Sequence, residues 1–431
     1  MAMERVLITG MGTLCSLGDS AAAFGDSLLA GRSGLRLVER LDYCLPERPV
    51  AVTADVSEVH LHEAFDQLLA ETPAEWTGRL KAIRRSSVRP AALALYVGLQ
   101  ALRQADLRPG SFEASRVGVL AAAHNINHVY LRSNAQTYFE DDPVFIDPEY
   151  ALSAFDTDLV GSAASAFGLS GPAFTVGAAC ASGNVALVQA LGLIRAGTAD
   201  AMLVIGASGE WDVLMAHNLV YLGAMTSGER WLDCPEQASR PFDGEREGFV
   251  MGFGYAAVFL ESEAFHRQRQ TSAGLAVLAG GALGSCMERG TRLDALIQQR
   301  VIEQALTDGG LAVEQLGYVN AHATSTVLGD RAEGQALRAV LGERLGQVPI
   351  NATKSMTGHT IYASGVLSLV ATVLQMQAGW LHPTLNQVSS DVAFDGFDLV
   401  PNVSRQYSFE HALSNGFGFG GLMASIVISR V

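Results

Sequence analysis

The sequence has no CxxC pair, and its five cysteines (Cys15, Cys44, Cys180, Cys234 and Cys286) are an odd number scattered over 431 residues. That scatter suggests neither a disulfide framework nor a zinc site, so free thiols and no metal are expected. Charge is also scarce. Only 17% of residues are Asp, Glu, Lys or Arg, and 44 acids against 29 bases leave a formal net charge of −15. Phosphate binding requires a basic field, which disfavours nucleic acid and anionic membrane as partners. No apolar run reaches the ~20 residues needed to span a bilayer, since Ala92–Ala101 and Val366–Met376 are interrupted by Gln or Ser. The opening MAMERVLITG lacks the apolar core and cleavage site of a secretory signal, and a cytoplasmic protein is expected. What the chain does have is 49% hydrophobic residues and 45 glycines. That balance is typical of compact α/β enzymes, with core enough for two or three domain-sized units.

Arg5–Gly10 (RVLITG) is β-branched and apolar and reads as a strand ending in a Gly-rich turn, followed by a helical pattern over Ala21–Ala30. Short apolar runs recur at Arg116–Leu120, Ala201–Ile205, Ala256–Leu260 and Leu316–Asn320, with helical segments such as Ala91–Gln104 and Leu293–Leu306 between them. Alternation of this kind implies layered α/β architecture. The two halves of the chain also resemble each other. Ala173–Val176 leads through Gly177 to Cys180 and then into an apolar helix ending at Arg195-Ala196-Gly197. Val348–Ala352 leads to His359 and then into an apolar helix ending at Gln377-Ala378-Gly379. A duplicated fold would bring Cys180 and His359 together at its pseudo-dyad.

A lone cysteine is commonly a small buried hydrophobe. Cys180 differs in its setting, Gly177-Ala178-Ala179-Cys180-Ala181-Ser182-Gly183, a run of small residues between strand and helix. Such a turn opens the thiol to substrate, and the dipole of the following helix is expected to favour the thiolate. His322, in VNAHATST, and His359, in KSMTGH, each follow a predicted strand and sit among Gly, Ser and Thr. One strand-end histidine is more often structural, because imidazole satisfies loop carbonyls well. Two of them together with Cys180 favour chemistry.

The combination of Cys180, His322, Lys354 and His359 resembles the β-ketoacyl synthases of the thiolase fold, especially the type II elongating enzymes. The likeness covers nearly the whole chain through VLITGMGTLCSLG, ACASGN, SRPFDGEREGFVMGFG, NAHATSTVLGD, TKSMTGH and NGFGFGG. It implies a duplicated α-β-α-β-α layered fold, with a half over residues 1–255 carrying the nucleophile and a half over 256–431 carrying both histidines. By position, Cys180 matches the nucleophile, His322 and His359 the two active-site histidines, Lys354 the lysine that organises them, and Phe419 the gating phenylalanine. The resemblance implies that Cys180 takes an acyl chain from acyl carrier protein while the N–H groups of Cys180 and Phe419 hold the oxyanion. Malonyl carrier protein then loses carbon dioxide, and the resulting enolate, held by His322 and His359, attacks the thioester. Gly416, Gly418, Gly420 and Gly421 suit a mobile loop approaching substrate, although glycines also build ordinary tight turns.

The resemblance implies a dimer as well, either of identical chains or with a chain-length-factor-like subunit, and no cofactor. It also puts a carrier-docking helix at Arg79, Lys81, Arg84, Arg85 and Arg89, five of the 29 basic residues gathered within 11 positions. On charge alone these would equally suit a solvated helix face. Four departures from the family pattern point to a specialised pocket. Phe253 replaces a usual Glu, Ser368 replaces an acid that pairs with the lysine, Leu422-Met423 replaces Thr-Asn, and Tyr362 enlarges a normally small position. These changes also fit decarboxylation or acyl transfer without elongation. Thiolase chemistry with coenzyme A fits less well, because thiolases use a Cys-His-Cys set. A non-catalytic chain-length-factor-like role is opposed by Cys180.

Overall fold

Short apolar strands pair into a single ten-stranded sheet in the computed structural model, which describes residues 4–38, 44–45, 48–49, 52–55, 61–210, 213–271, 273–286 and 294–431. The first half contributes β1 (Val6–Cys15), β2 (Val117–Ala122), β3 (Ala173–Val176), β4 (Ala201–Ala207) and β5 (Gly254–Ser262). The second contributes β6 (Ala276–Ser285), β7 (Tyr318–Asn320), β8 (Ile350–Asn351), β9 (His411–Phe417) and β10 (Leu422–Ser429). Their spatial order is β8-β7-β9-β10-β6-β1-β5-β4-β2-β3. Counted outward from the centre, each half reads first, fifth, fourth, second, third strand, and the two first strands pair antiparallel through Leu7 with Val277 and Ile8 with Ala276. A division after residue 255 would cut β5, which is hydrogen-bonded to both β1 and β4; the repeat changes over between Ser262 and Ala276.

Six helices matter for the site: α1 (Ala74–Ser86), α2 (Arg89–Gln104), α3 (Ser182–Arg195), α4 (Ala295–Asp308), α5 (Val327–Leu341) and α6 (Ser364–Ala378). Along β4, Leu203 and Ile205 join the core beneath α1 and α2, while Met202 and Val204 join the core around α3 and α6. Along β10, Ile426 and Ile428 face that same central core, whereas Met423 and Val427 face α4 and α5. Alternation at period two with both faces buried is what a sheet between helix layers requires. The two halves of the sheet, joined where β1 pairs with β6, pack on either side of α3 and α6, so the layers run helix, half-sheet, helix, half-sheet, helix, as expected. Ile361–Ala378 is long and apolar enough to cross a membrane, yet it is mostly buried as one of the two central helices.

The Gly-rich turn expected after Gly10 is not there. β1 continues to Cys15 with a register shift between Ile8 and Gly10. A Cβ at Gly10 would lie 1.9 Å from the Ala101 carbonyl oxygen, and one at Gly12 2.1 Å from that of Val97. These glycines let α2 press against the strand. The helix expected over Leu293–Leu306 runs Ala295–Asp308, and Leu293 lies outside the described residues.

Candidate active site

The nucleophile elbow is built from backbone strain and one serine. After β3, Ala179 takes φ +47 and a single turn over Ala179–Ala181 delivers the chain into α3. Non-glycine residues rarely adopt that conformation, and its occurrence beside a reactive group is a usual mark of a functional turn. Ser182 ties the elbow: its Oγ accepts from Ala178 N–H and donates to the Ala179 carbonyl, both at 2.7 Å. Cys180 itself is buried.

The second half supplies the histidines by the same construction. His359 precedes α6 as Cys180 precedes α3, and the two helix starts nearly touch: a Cβ on Gly183 would lie 2.8 Å from Gly365 Cα. His322 follows β7 by two residues, at the place His124 occupies after β2. Sulfur and one ring nitrogen of each of His322 and His359 lie within 4.8 Å of one another. The expected meeting of Cys180 with both histidines is therefore present, whereas His124 faces outward beside Asp156 at 3.4 Å. The trio could hold a metal only by contracting, because Zn–S and Zn–N bonds of about 2.0–2.3 Å draw ligand atoms closer together. The Lys354 charge would oppose that.

Burial pushes the Cys180 thiol up to about 11, against the Lys354 charge and the backbone N–H groups of Phe419 and Cys180. Desolvation thus outweighs the dipole expected to favour the thiolate. Burial, reinforced by Lys354, holds His322 and His359 well below the ordinary imidazole range, so both are neutral. Ser364 Oγ lies 2.5 Å from the Ile361 carbonyl and 3.1 Å from His359 Nδ1. Its single proton goes to the closer carbonyl, so Nδ1 carries the ring proton and Nε2 keeps a free lone pair. His359 Nε2 is buried without a partner among the described residues.

Lys354 donates to the His322 carbonyl at 2.7 Å, and burial lowers it to about 8, opposed first by Glu333. Ser368 does not leave it without a counterion. Glu333, on α5, fills that role and also accepts from the N–H groups of His322 at 2.8 Å and Ala323 at 2.7 Å and from Asn415 at 2.9 Å. Asp330 accepts from Thr324 N–H at 2.9 Å and Phe242 N–H at 2.9 Å, fixing the rest of the histidine loop. Neither acid was singled out from sequence for this role; their offsets of eight and eleven residues after His322 resemble ordinary helix polarity.

Two cavities meet at Cys180. One of about 500 Å³ is lined mostly by apolar groups, including Leu131, Leu219, Met251, Phe253, Tyr362 and Phe419. The other, of about 110 Å³, is lined by His322, His359, Thr324, Thr326, Phe417 and Phe419. Phe419 stands between them. Its loop has Gly420 and Gly421 at φ +77 and +76, and a Cβ on Gly418 would lie 2.8 Å from the Ala178 carbonyl oxygen. Here the left-handed backbone and the close approach both require glycine. Of the departures, Phe253 and Tyr362 fall in the large cavity, while Met423 is buried in the core beneath α4 and α5 and Leu422 opens β10.

The five basic residues do not form one free patch. Arg79, Lys81 and Arg85 are exposed on α1, but Arg84 is bound to Asp66 at 2.7 Å and lies over the Phe65 ring. Arg89 is half-buried at the start of α2 and its charge acts on Tyr255.

A duplicated sheet with a nucleophile elbow in one half and two histidines from the other defines a thiolase-like condensing enzyme. Residues 3–266 match the beta-ketoacyl synthase N-terminal domain and residues 275–388 its C-terminal domain. The chain belongs to the β-ketoacyl synthase family, whose relatives here are acyltransferase-type ketosynthases. It is 31% identical to the polyketide biosynthesis malonyl-ACP decarboxylase PksF of Bacillus subtilis, covering 100% of this chain and 97% of that one. It is 33% identical to the chloroplastic 3-oxoacyl-[acyl-carrier-protein] synthase I of Arabidopsis thaliana, covering 99% and 86%. A solved type II polyketide ketosynthase complex, with its acyl-carrier protein and bound to the hexaketide, superposes over 100% of both chains with a TM-score of 0.86 and 28% identity.

Proposed function

We propose that the chain catalyses decarboxylative condensation between an acyl group held on Cys180 and a malonyl unit carried by acyl carrier protein. The carrying observation is the pair of cavities meeting at the sulfur: an apolar one able to hold an acyl chain and a smaller one bearing both histidines. A malonyl decarboxylase, the activity in the name of the Bacillus relative, needs only the second.

In the first half-reaction the Cys180 thiol passes its proton to His359 Nε2 as sulfur attacks the carrier thioester, whose oxyanion is held by the N–H groups of Cys180 and Phe419. The proton then leaves with the carrier's thiolate, giving acyl-Cys180 and free carrier thiol. In the second, malonyl carrier protein breaks its bond to the carboxylate and releases carbon dioxide. The enolate oxygen that remains accepts from the His322 N–H, since His359 Nε2 holds a lone pair in this tautomer and cannot donate, and Lys354 with Glu333 fixes the His322 loop. The enolate carbon attacks acyl-Cys180, sulfur leaves as thiolate and recovers one proton from solvent, and a β-ketoacyl carrier protein departs.

Carrier docking is assigned to the exposed Arg79, Lys81 and Arg85 on α1, with Arg84 and Arg89 lending weaker support from their paired positions. A cytoplasmic dimer of identical chains completes the reading. Its support is the outermost strand β3 with exposed Phe174, together with exposed Phe139, Phe145, Leu152 and Phe155 in the segment that precedes it in the chain.

Intact mass spectrometry with acyl and malonyl carrier proteins tests the reaction. The acyl mass on Cys180 followed by a β-ketoacyl carrier is expected, with loading abolished in Cys180→Ala. Carbon dioxide release without an acyl adduct would assign the chain to decarboxylation instead.

A further inference from the structure

Tyr362 enters the acyl cavity on strained backbone. Ile361, before it, adopts φ +48, a conformation that β-branched residues rarely take. The short turn Ile361–Ala363 is pinned by Ser364 Oγ on the Ile361 carbonyl, so both side chains are held as cavity wall. The turn therefore places the Tyr362 ring on the cavity wall.

Among the described residues the Tyr362 hydroxyl has no hydrogen-bond partner, although the side chain is half-buried and lines a cavity otherwise rich in Leu, Met and Phe. Burial pushes its pKa up to about 12, with Cys180 and Asp156 the charges that add to this, so the phenol is a neutral donor close enough to feel the nucleophile. In the free enzyme water can satisfy it. A plain alkyl chain on Cys180 expels that water and leaves the donor unpaired, whereas a chain bearing oxygen restores the bond. Asn125, His128 and Glu210 add polar lining to the same cavity.

We propose that Tyr362 is a specificity-determining residue that donates a hydrogen bond to an oxygen of the Cys180-bound chain, so that hydroxy- and oxo-acyl units are taken in preference to unsubstituted alkyl chains. This rests on the reading of Cys180 as the acylated residue. It extends that reading to the chemical class of the acyl group.

The test compares Cys180 acylation by pantetheine thioesters of butyryl, β-hydroxybutyryl and β-ketobutyryl groups, followed by intact mass, in wild type and Tyr362→Phe. Intrinsic reactivity differences among the donors cancel when the two proteins are compared. The oxygenated-to-alkyl rate ratio is expected to fall about tenfold in the variant, the worth of one neutral hydrogen bond. Equal ratios in both proteins overturn the proposal. Competition of butyryl against β-hydroxybutyryl on wild type, each rate divided by that of the same donor with free cysteine, is a second measure independent of the variant's folding, and absence of any preference there also overturns it. If butyryl and oxygenated donors load equally, the acylation reading survives alone. If no donor modifies Cys180, both fall.

Discussion

A neutral thiol, two neutral imidazoles and one lysine make a resting site whose reactivity is held back until substrate arrives. Because burial sets the Cys180 thiol near 11, the thiolate fraction is small at physiological pH. Alkylation of Cys180 by iodoacetamide is expected to accelerate about tenfold per pH unit from about pH 6 to about pH 9, following the thiolate fraction. A rate already level by neutral pH would show a resting ion pair between sulfur and a histidine and refute this account. The principal residues were legible because Cys180, His322, Lys354 and His359 each sit in a distinctive run of small or hydroxyl side chains. Glu333 and Asp330 were not, because an acid in the first turns of a helix is ordinary at the level of sequence and becomes special only when the fold buries it. The charge state of Cys180 was misjudged for the same reason: a helix start can be read along the chain, while desolvation depends on what the rest of the chain places around it.

At the scale of elements, strand positions were legible within a few residues from apolar runs, and α6 from its continuous apolar pattern. The failures came at glycines, where one residue type serves both turning and close packing. Gly10 and Gly12 looked like a turn and are strand interior. Gly365 is a close approach beside the site, since a Cβ there would lie 2.1 Å from Asn184 Oδ1 and 2.5 Å from Asn184 N. Gly365→Ala must separate the starts of α3 and α6, and with them Cys180 and His359. We expect a stability loss of about 1–3 kcal/mol, the range for overpacking a close-packed core, read as a lower urea midpoint. Condensation should fall further than folding alone accounts for. A variant with wild-type stability and rate would mean that the two helix starts are less tightly joined than their geometry indicates.

For the whole molecule, net charge and local charge have opposite signs where the carrier is proposed to bind. A chain of net charge −15 repels an acidic partner at long range, so capture depends on the few free bases of α1. Changing Arg79, Lys81 and Arg85 together to Glu should slow acyl transfer from carrier protein at least tenfold while sparing transfer from a pantetheine thioester. The wild-type advantage should shrink with added salt, because exposed charges are screened beyond a Debye length of ~8 Å at physiological ionic strength. Equal losses with both donors would place docking elsewhere or indicate general damage. The duplication behind this architecture was faintly legible, in two strand-loop-helix units, but its strand order was not, because pairing across the centre involves residues about 270 positions apart, such as Leu7 with Val277.

That arrangement also bears on how the protein is born. When residues up to Ser262 have left the ribosome, the inner face of their sheet, with Leu120, Ala122, Met202 and Val204, still lacks α6 and the strands that cover α3 from the other side. At typical synthesis rates the remainder follows on the order of ten seconds later. For that interval a nascent half-molecule displays a sticky apolar slab to the cell, which makes it a natural client for chaperones that bind growing chains.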